Sequence, residues 1–236
     1  MMGTGLLATV TAVALVLAAA PPASAEAVDA SEVWSAARSA FESAASYEPA
    51  RTSLRFEQLD ASGKVVSTES GETVVRWSSG ARKTVILKAE RDGKDVRADW
   101  EKRYARSDKK DDDSPSAGPP AGFDATPFDP KYASGVTRGA AVSRGGVYEI
   151  PYVITTDGGP VEGVARFSST GKVLSISQRW TDPPFYIAYM SMEMGYTYHD
   201  GALVVSSMKA EGEASVLMVK RRFRMALEFG DWQRKP

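Results

Sequence analysis

The chain has 236 residues, 29 Lys and Arg against 30 Asp and Glu, one histidine and no cysteine. Disulfide frameworks, thiolate-bound metals, a cysteine nucleophile and any multi-histidine metal site are thereby excluded. A net charge of −1 does not provide the positive surface that displaces counterions from nucleic acid, so no nucleic-acid partner is expected.

Residues 1–25 carry no charged side chain. Their run of about 15 apolar residues is short of the ~20 needed to span a bilayer. It ends in Pro21-Pro22 and Ala23-Ser24-Ala25, the small-residue pattern of signal-peptidase cleavage. The expectation is a signal peptide cut after Ala25, followed by one soluble domain over 26–236. With no cysteine after the cut, a conventional lipoprotein is excluded.

Asp29 and Glu32 stand at capping-box spacing before Val33, Ala37, Ala40, Phe41 and Ala44, which recur at steps of three and four. This predicts an amphipathic helix over 31–47, with Trp34 beside its apolar stripe. The period then changes to two. Leu54 and Phe56 alternate with Ser53, Arg55 and Glu57, and Asp60-Ala61-Ser62-Gly63 reads as a turn. Short strands are expected over 64–70, 72–78 and 82–90, divided by Ser70-Gly71 and Ser79-Gly80. Asp92-Gly93 is another tight turn, and 99–106 a short polar helix.

Residues 107–131 hold Lys109-Lys110-Asp111-Asp112-Asp113 and five prolines, which reads as a long exposed loop. Strands resume over 146–155, 161–168 and 171–180. The run Phe185-Tyr-Ile-Ala-Tyr-Met-Ser-Met-Glu-Met194 lacks clean periodicity and reads as a lid, a cavity rim or a buried strand. Strands over 196–199 and 202–210 flank the hairpin turn Asp200-Gly201, and a last strand covers 214–229. In it Leu217, Val219, Phe223, Met225, Leu227 and Phe229 face one way, and Lys220, Arg222, Arg224 and Glu228 the other. About ten strands behind one helix make the fold class mainly β, a curved antiparallel sheet or unclosed barrel.

Nothing in this pattern assembles chemistry. His199 and Asp200 are neighbours on a strand, so they point to opposite faces, and Asp200-Gly201 is explained by the turn. Asp111-Asp112-Asp113 lacks the alternating ligands and glycine of a calcium loop. No phosphate-binding glycine motif is present. The expectation is a protein that is not an enzyme and uses no metal or cofactor.

A signal peptide, a leading amphipathic helix and a meander of hairpins resemble the LolA-like periplasmic lipoprotein-carrier superfamily. Its closing strands are similar to Tyr196-Thr-Tyr-His-Asp-Gly201, Ser206-Ser-Met-Lys209 and Lys220-Arg-Arg-Phe-Arg-Met-Ala-Leu-Glu-Phe-Gly-Asp-Trp232. The resemblance implies a monomeric periplasmic carrier or sensor with an apolar cavity for the acyl chains of a lipid or acylated protein. The candidate lining, or lid, comprises Phe56, Trp77, Leu87, Trp180, Phe185, Tyr186, Tyr189, Met190, Val204, Met208 and Arg221. Methionines suit varied apolar partners, and a guanidinium on an apolar face needs a carboxylate, carbonyls or a ligand headgroup. A barrel of this size is either hollow or packed solid. If it is packed, the alternative is an envelope interaction module that binds protein partners, or the membrane, by its surface.

Overall fold

A computed structural model describes residues 29–79, 81–107, 125–183, 187–216 and 219–236. The element order is α1 (Ala30–Ser43), β1 (Tyr47–Leu59), β2 (Val65–Ser78), β3 (Ala81–Arg91), β4 (Lys94–Asp95) and α2 (Arg97–Ser107). It continues through β5 (Val136–Arg138), β6 (Val142–Arg144), β7 (Val147–Thr156), β8 (Gly159–Ser168) and β9 (Val173–Trp180). The chain closes with β10 (Ile187–His199), β11 (Ala202–Val216) and β12 (Val219–Arg234).

All twelve strands belong to one antiparallel sheet in the order β4-β3-β2-β1-β12-β11-β10-β9-β8-β7-β5, with β6 beside β5 on β7. The first and last strands zip together over β1·β12, from Tyr47↔Arg234 to Leu59↔Arg222. β4 and β5 lie at opposite ends of the order, so the sheet is curved and unclosed, as the alternation predicts. Both edges are blunted. Next to β4, β3 carries Lys83 and Lys88 and a bulge at Leu87, while β5 and β6 are three residues each.

The helix begins where the cap predicts. The Asp29 side chain accepts from Ser31 N at 2.8 Å and Glu32 N at 3.4 Å. Val33, Trp34 and Ala37 are buried, and α1 lies against β11. The core fills one face of β7–β11, with Ile150, Ile154, Phe167, Ile176 and Leu203 at 1 % exposure or less. Trp34 reaches across it, its ring centroid 5.2 Å from Phe128 and 5.9 Å from Tyr152.

Several expectations are corrected. Ser70-Gly71 is no turn: β2 runs through it, and Gly71 is required because a Cβ there would collide with the Trp100 indole of α2. The chain does not break at 211–213 either. β11 continues to Val216, because Glu213 lies opposite Arg222 in the β11·β12 ladder and binds it. Ile187–Met194 belongs to strand β10, with Met190, Met192 and Met194 buried, so the lid reading ends there; Phe185 and Tyr186 lie outside the described residues. The stretch expected as an exposed loop over 107–131 is anchored at its far end, where 125–128 are buried under Trp34. Residues 108–124 lie outside the described residues, as do 1–28. The short strands β5 and β6 were not foreseen, and three residues are too few to show a period.

Candidate functional site

Alternation gives each strand of β7–β12 two faces. One face holds the α1 core. On the other, the same three-residue step of eight successive strands borders a concavity of about 1080 Å³. The strands are β5, β7, β8, β9, β10, β11, β12 and β1, in their order across the sheet. A concavity lined by eight neighbours is the hollow of the curved sheet itself, at the top of the usual size range for ligand pockets.

A single cross-strand row makes its floor. Tyr152, Gly163, Gln178, Met192, Ala210, Met225 and Phe56 follow one another in register. The side chains of this row point toward the core, so the floor of the hollow is largely backbone. Gly163 is needed here, since a Cβ would strike the Tyr152 ring. The row is pinned from behind: the Tyr152 hydroxyl donates to Gln178 Oε1 at 2.9 Å, and Gln178 Nε2 donates to the Ala125 carbonyl at 2.8 Å. Burial pushes the Tyr152 hydroxyl far above its ordinary pKa. It therefore stays a neutral donor.

The rows on either side of the floor point into the hollow. One reads Thr137, Val153, Glu162, Arg179, Ser191, Glu211, Arg224 and Glu57. The other includes Pro151, Val164, Ser177, Glu193, Lys209, Ala226 and Arg55. The hollow is thus polarised. Its β7–β9 end offers Pro151, Val153 and Val164 beside the Glu162–Arg179 pair; the other six charges lie at its β10–β1 end. In all, four acidic chains (Glu57, Glu162, Glu193, Glu211) and four basic ones (Arg55, Arg179, Lys209, Arg224) face it, while a fifth bordering cation, Arg138, turns its guanidinium over the Trp34 ring instead. Glu57 is held by Arg55 at 2.7 Å and by Arg224 at 3.8 Å, and Glu162 by Arg179 at 3.4 Å. Glu193, Lys209 and Glu211 form no ion pair among the described residues.

Of the eleven residues expected as cavity lining, Phe185 and Tyr186 lie outside the described residues, and the side chains of the other nine are not among those that line the hollow. Trp180 and Met190 are brought together, but behind the sheet, beside a space of about 10 Å³ that is at the limit for one water. Val204 is buried, and Met208 packs against the core. Phe56 is 36 % exposed and stacks on Phe223 at 6.1 Å. Trp77 donates its indole N–H to Glu48, and Leu87 is exposed on the bulge of β3. Tyr189 and Arg221 are exposed at the end of the sheet below the hollow. Arg221 therefore has no desolvation to offset and needs no buried partner. The hollow's residues went unnoticed because alternation assigns them to the solvent side; only the curvature of the sheet makes that side concave.

His199 serves the turn after β10. Its ring meets Tyr47 edge-on at 5.1 Å, and Tyr47 donates to Asp200 at 3.4 Å. Among the described residues no helix is long and apolar enough to cross a membrane.

No protein-family model matches the chain, and no curated protein is significantly similar to it. Among solved structures it is similar to the crystal structure of MucB in complex with MucA(peri). The identity is 10 %, over 88 % of this chain and 100 % of that one, with a TM-score of 0.23. A superposition of that quality does not define a common fold.

Proposed function

We propose that this chain is a non-enzymatic protein of the cell envelope that holds a segment of a partner protein in the hollow of its sheet. The observation that carries this reading is the placement of charge. An acyl chain needs a continuous apolar lining, and the apolar face of this sheet is already filled by α1 and by residues 125–128. The open face has a largely apolar lining too, but it is ringed by four carboxylates and four cations. A polypeptide brings its own polar backbone and mixed charges to such a surface, as polar-rimmed protein interfaces do. A lipid tail would have to strip water from these charges without pairing them. Export after removal of residues 1–25, a monomeric state, and kinship with the LolA-like superfamily are parts of the same reading. The sheet order and leading helix support the kinship.

The test is photo-cross-linking in the native cell, with p-benzoylphenylalanine replacing Val164 inside the hollow or Val142 on the far edge. Val164 should give conjugates with the added mass of a polypeptide, and Val142 none. Lipid-mass adducts alone at Val164, or no adduct at either position, would contradict the proposal.

A further inference from the structure

The hollow has a lip with a different chemistry. One rung beyond Glu57, Arg224, Glu211 and Ser191, the residues in register are Val65, Leu59, Arg222, Glu213 and Tyr189. At the usual interstrand spacing this rung is about 19 Å long. Its two ends are apolar and exposed, Val65 at 40 % and Tyr189 at 42 %, and Val66 beside it reaches 55 %. Between and below them stand Lys64, Lys220, Arg221 and Arg222.

Each charge that faces this rung can be accounted for. Glu213 takes Arg222 at 2.7 Å and Lys220 at 3.5 Å. Asp60 is committed to its own turn, accepting from Ser62 N at 2.9 Å and Lys64 N at 3.0 Å. Lys64 and Arg221 make no ion pair among the described residues, so the lip is net positive by two. Arg222 also donates to the Ala61 carbonyl at 3.3 Å, which ties the β1–β2 turn to the β11–β12 hairpin as one surface. At the opposite end of the sheet the exposed Leu174 adjoins Lys172, whose amine lies over the Tyr198 ring at 5.4 Å.

We propose that this lip docks on an anionic lipid surface, with Val65, Val66 and Tyr189 entering the headgroup layer and Lys64, Lys220 and Arg221 lying on its phosphates. Valine and tyrosine at a common level suit the boundary between headgroups and acyl chains. The excess cations complement a negative leaflet, each contributing through its distance from the surface. An acidic protein would satisfy the cations but would leave the exposed valines without a reason. The docked orientation places the mouth of the hollow against the membrane. This inference does not depend on what the hollow binds.

The test uses the protein as its own cells process it, sedimented with vesicles of phosphatidylcholine alone or of phosphatidylcholine mixed with phosphatidylglycerol. Binding is expected only to the mixed vesicles and should fall as sodium chloride rises. Neutralising two cations in Lys220→Gln/Arg221→Gln should weaken it about thirty-fold, and Val65→Ser/Val66→Ser should weaken it further at high salt. The remote Lys83→Gln/Lys88→Gln pair should change nothing, and thermal melts check that every variant is folded. Equal binding to both vesicles, salt-independent binding, no binding, or preference for soluble polyglutamate over the mixed vesicles would overturn the proposal. So would unchanged binding by the folded Lys220→Gln/Arg221→Gln protein.

Discussion

Either side of the β1·β12 seam, the same sheet is stabilised in two different ways. From β5 to β11 it rests on an apolar core: α1 supplies Trp34, and Phe128, Phe167 and Ile154 are wholly buried. From β2 to β4 there is no comparable core among the described residues, and the hairpins are tied by carboxylates. Glu48 accepts from Trp77, from Arg82 Nε at 2.9 Å and from Gln233 at 3.3 Å, joining β1, β2, β3 and β12. Glu69 accepts from Trp100 at 2.6 Å, Arg103 at 2.7 Å and Arg91 at 2.9 Å, clamping α2 onto β2 and β3. Burial raises the pKa of both carboxyls, but the hydrogen bonds from arginine and tryptophan outweigh it and leave both below the usual range. An apolar core resists acid and salt; a set of charged ties does not. The hollow lies mostly on the first kind of support and reaches the second only at β1.

The contrast can be broken most forcefully in the core. Phe128→Ala should cost about 3–5 kcal/mol in urea unfolding, since it empties the space between Trp34, Phe167 and Tyr196. In the other region Gly71→Val should cost about 1–3 kcal/mol by driving Trp100 off β2, read as a red shift of tryptophan emission. Acid should separate the two regions. A carboxyl held below its unfolded pKa gives stability that is full above that value and lost as pH falls through the folded one. Hydrogen exchange of β2, β3 and α2 should therefore accelerate below about pH 4.5 before that of β7–β10 does, and Glu69→Gln should flatten that response. Leu87→Asp, on an exposed bulge, should change stability by no more than about 0.5 kcal/mol. A large loss there would mean that β3 has a packing partner.

Much of this fold was legible in the sequence because the local signals agreed. The Asp29 cap and the Asp60–Gly63 and Asp200-Gly201 turns each name one structure and are where they were expected; the last strand, expected over 214–229, runs instead from Val219 to Arg234. The failures have a common physical origin. Gly71 and the stretch 211–213 carry turn-like residues whose conformation is decided by something distant in sequence: an indole from α2 in one case, and Arg222 opposite Glu213 in the other. The candidate site failed for a related reason. Apolar residues such as Trp180, Met190 and Val204 attract attention, yet apolar residues are the ones a sheet buries behind itself. The hollow is built from Glu193, Lys209, Glu211 and Arg224, whose pattern is that of any solvated strand face. Concavity is a property of eight strands together and leaves no mark on one.

The central claim is that the apolar face of the sheet is filled and that binding takes place on the charged one. Native mass spectrometry of the exported protein, purified without detergent and paired with organic extraction of the same sample, tests it most directly. The account predicts the mass of the bare processed chain, with no lipid in the extract, and the same mass after incubation with envelope phospholipids. A stoichiometric phospholipid, fatty-acid or lipopeptide adduct would contradict it and restore an acyl-chain carrier.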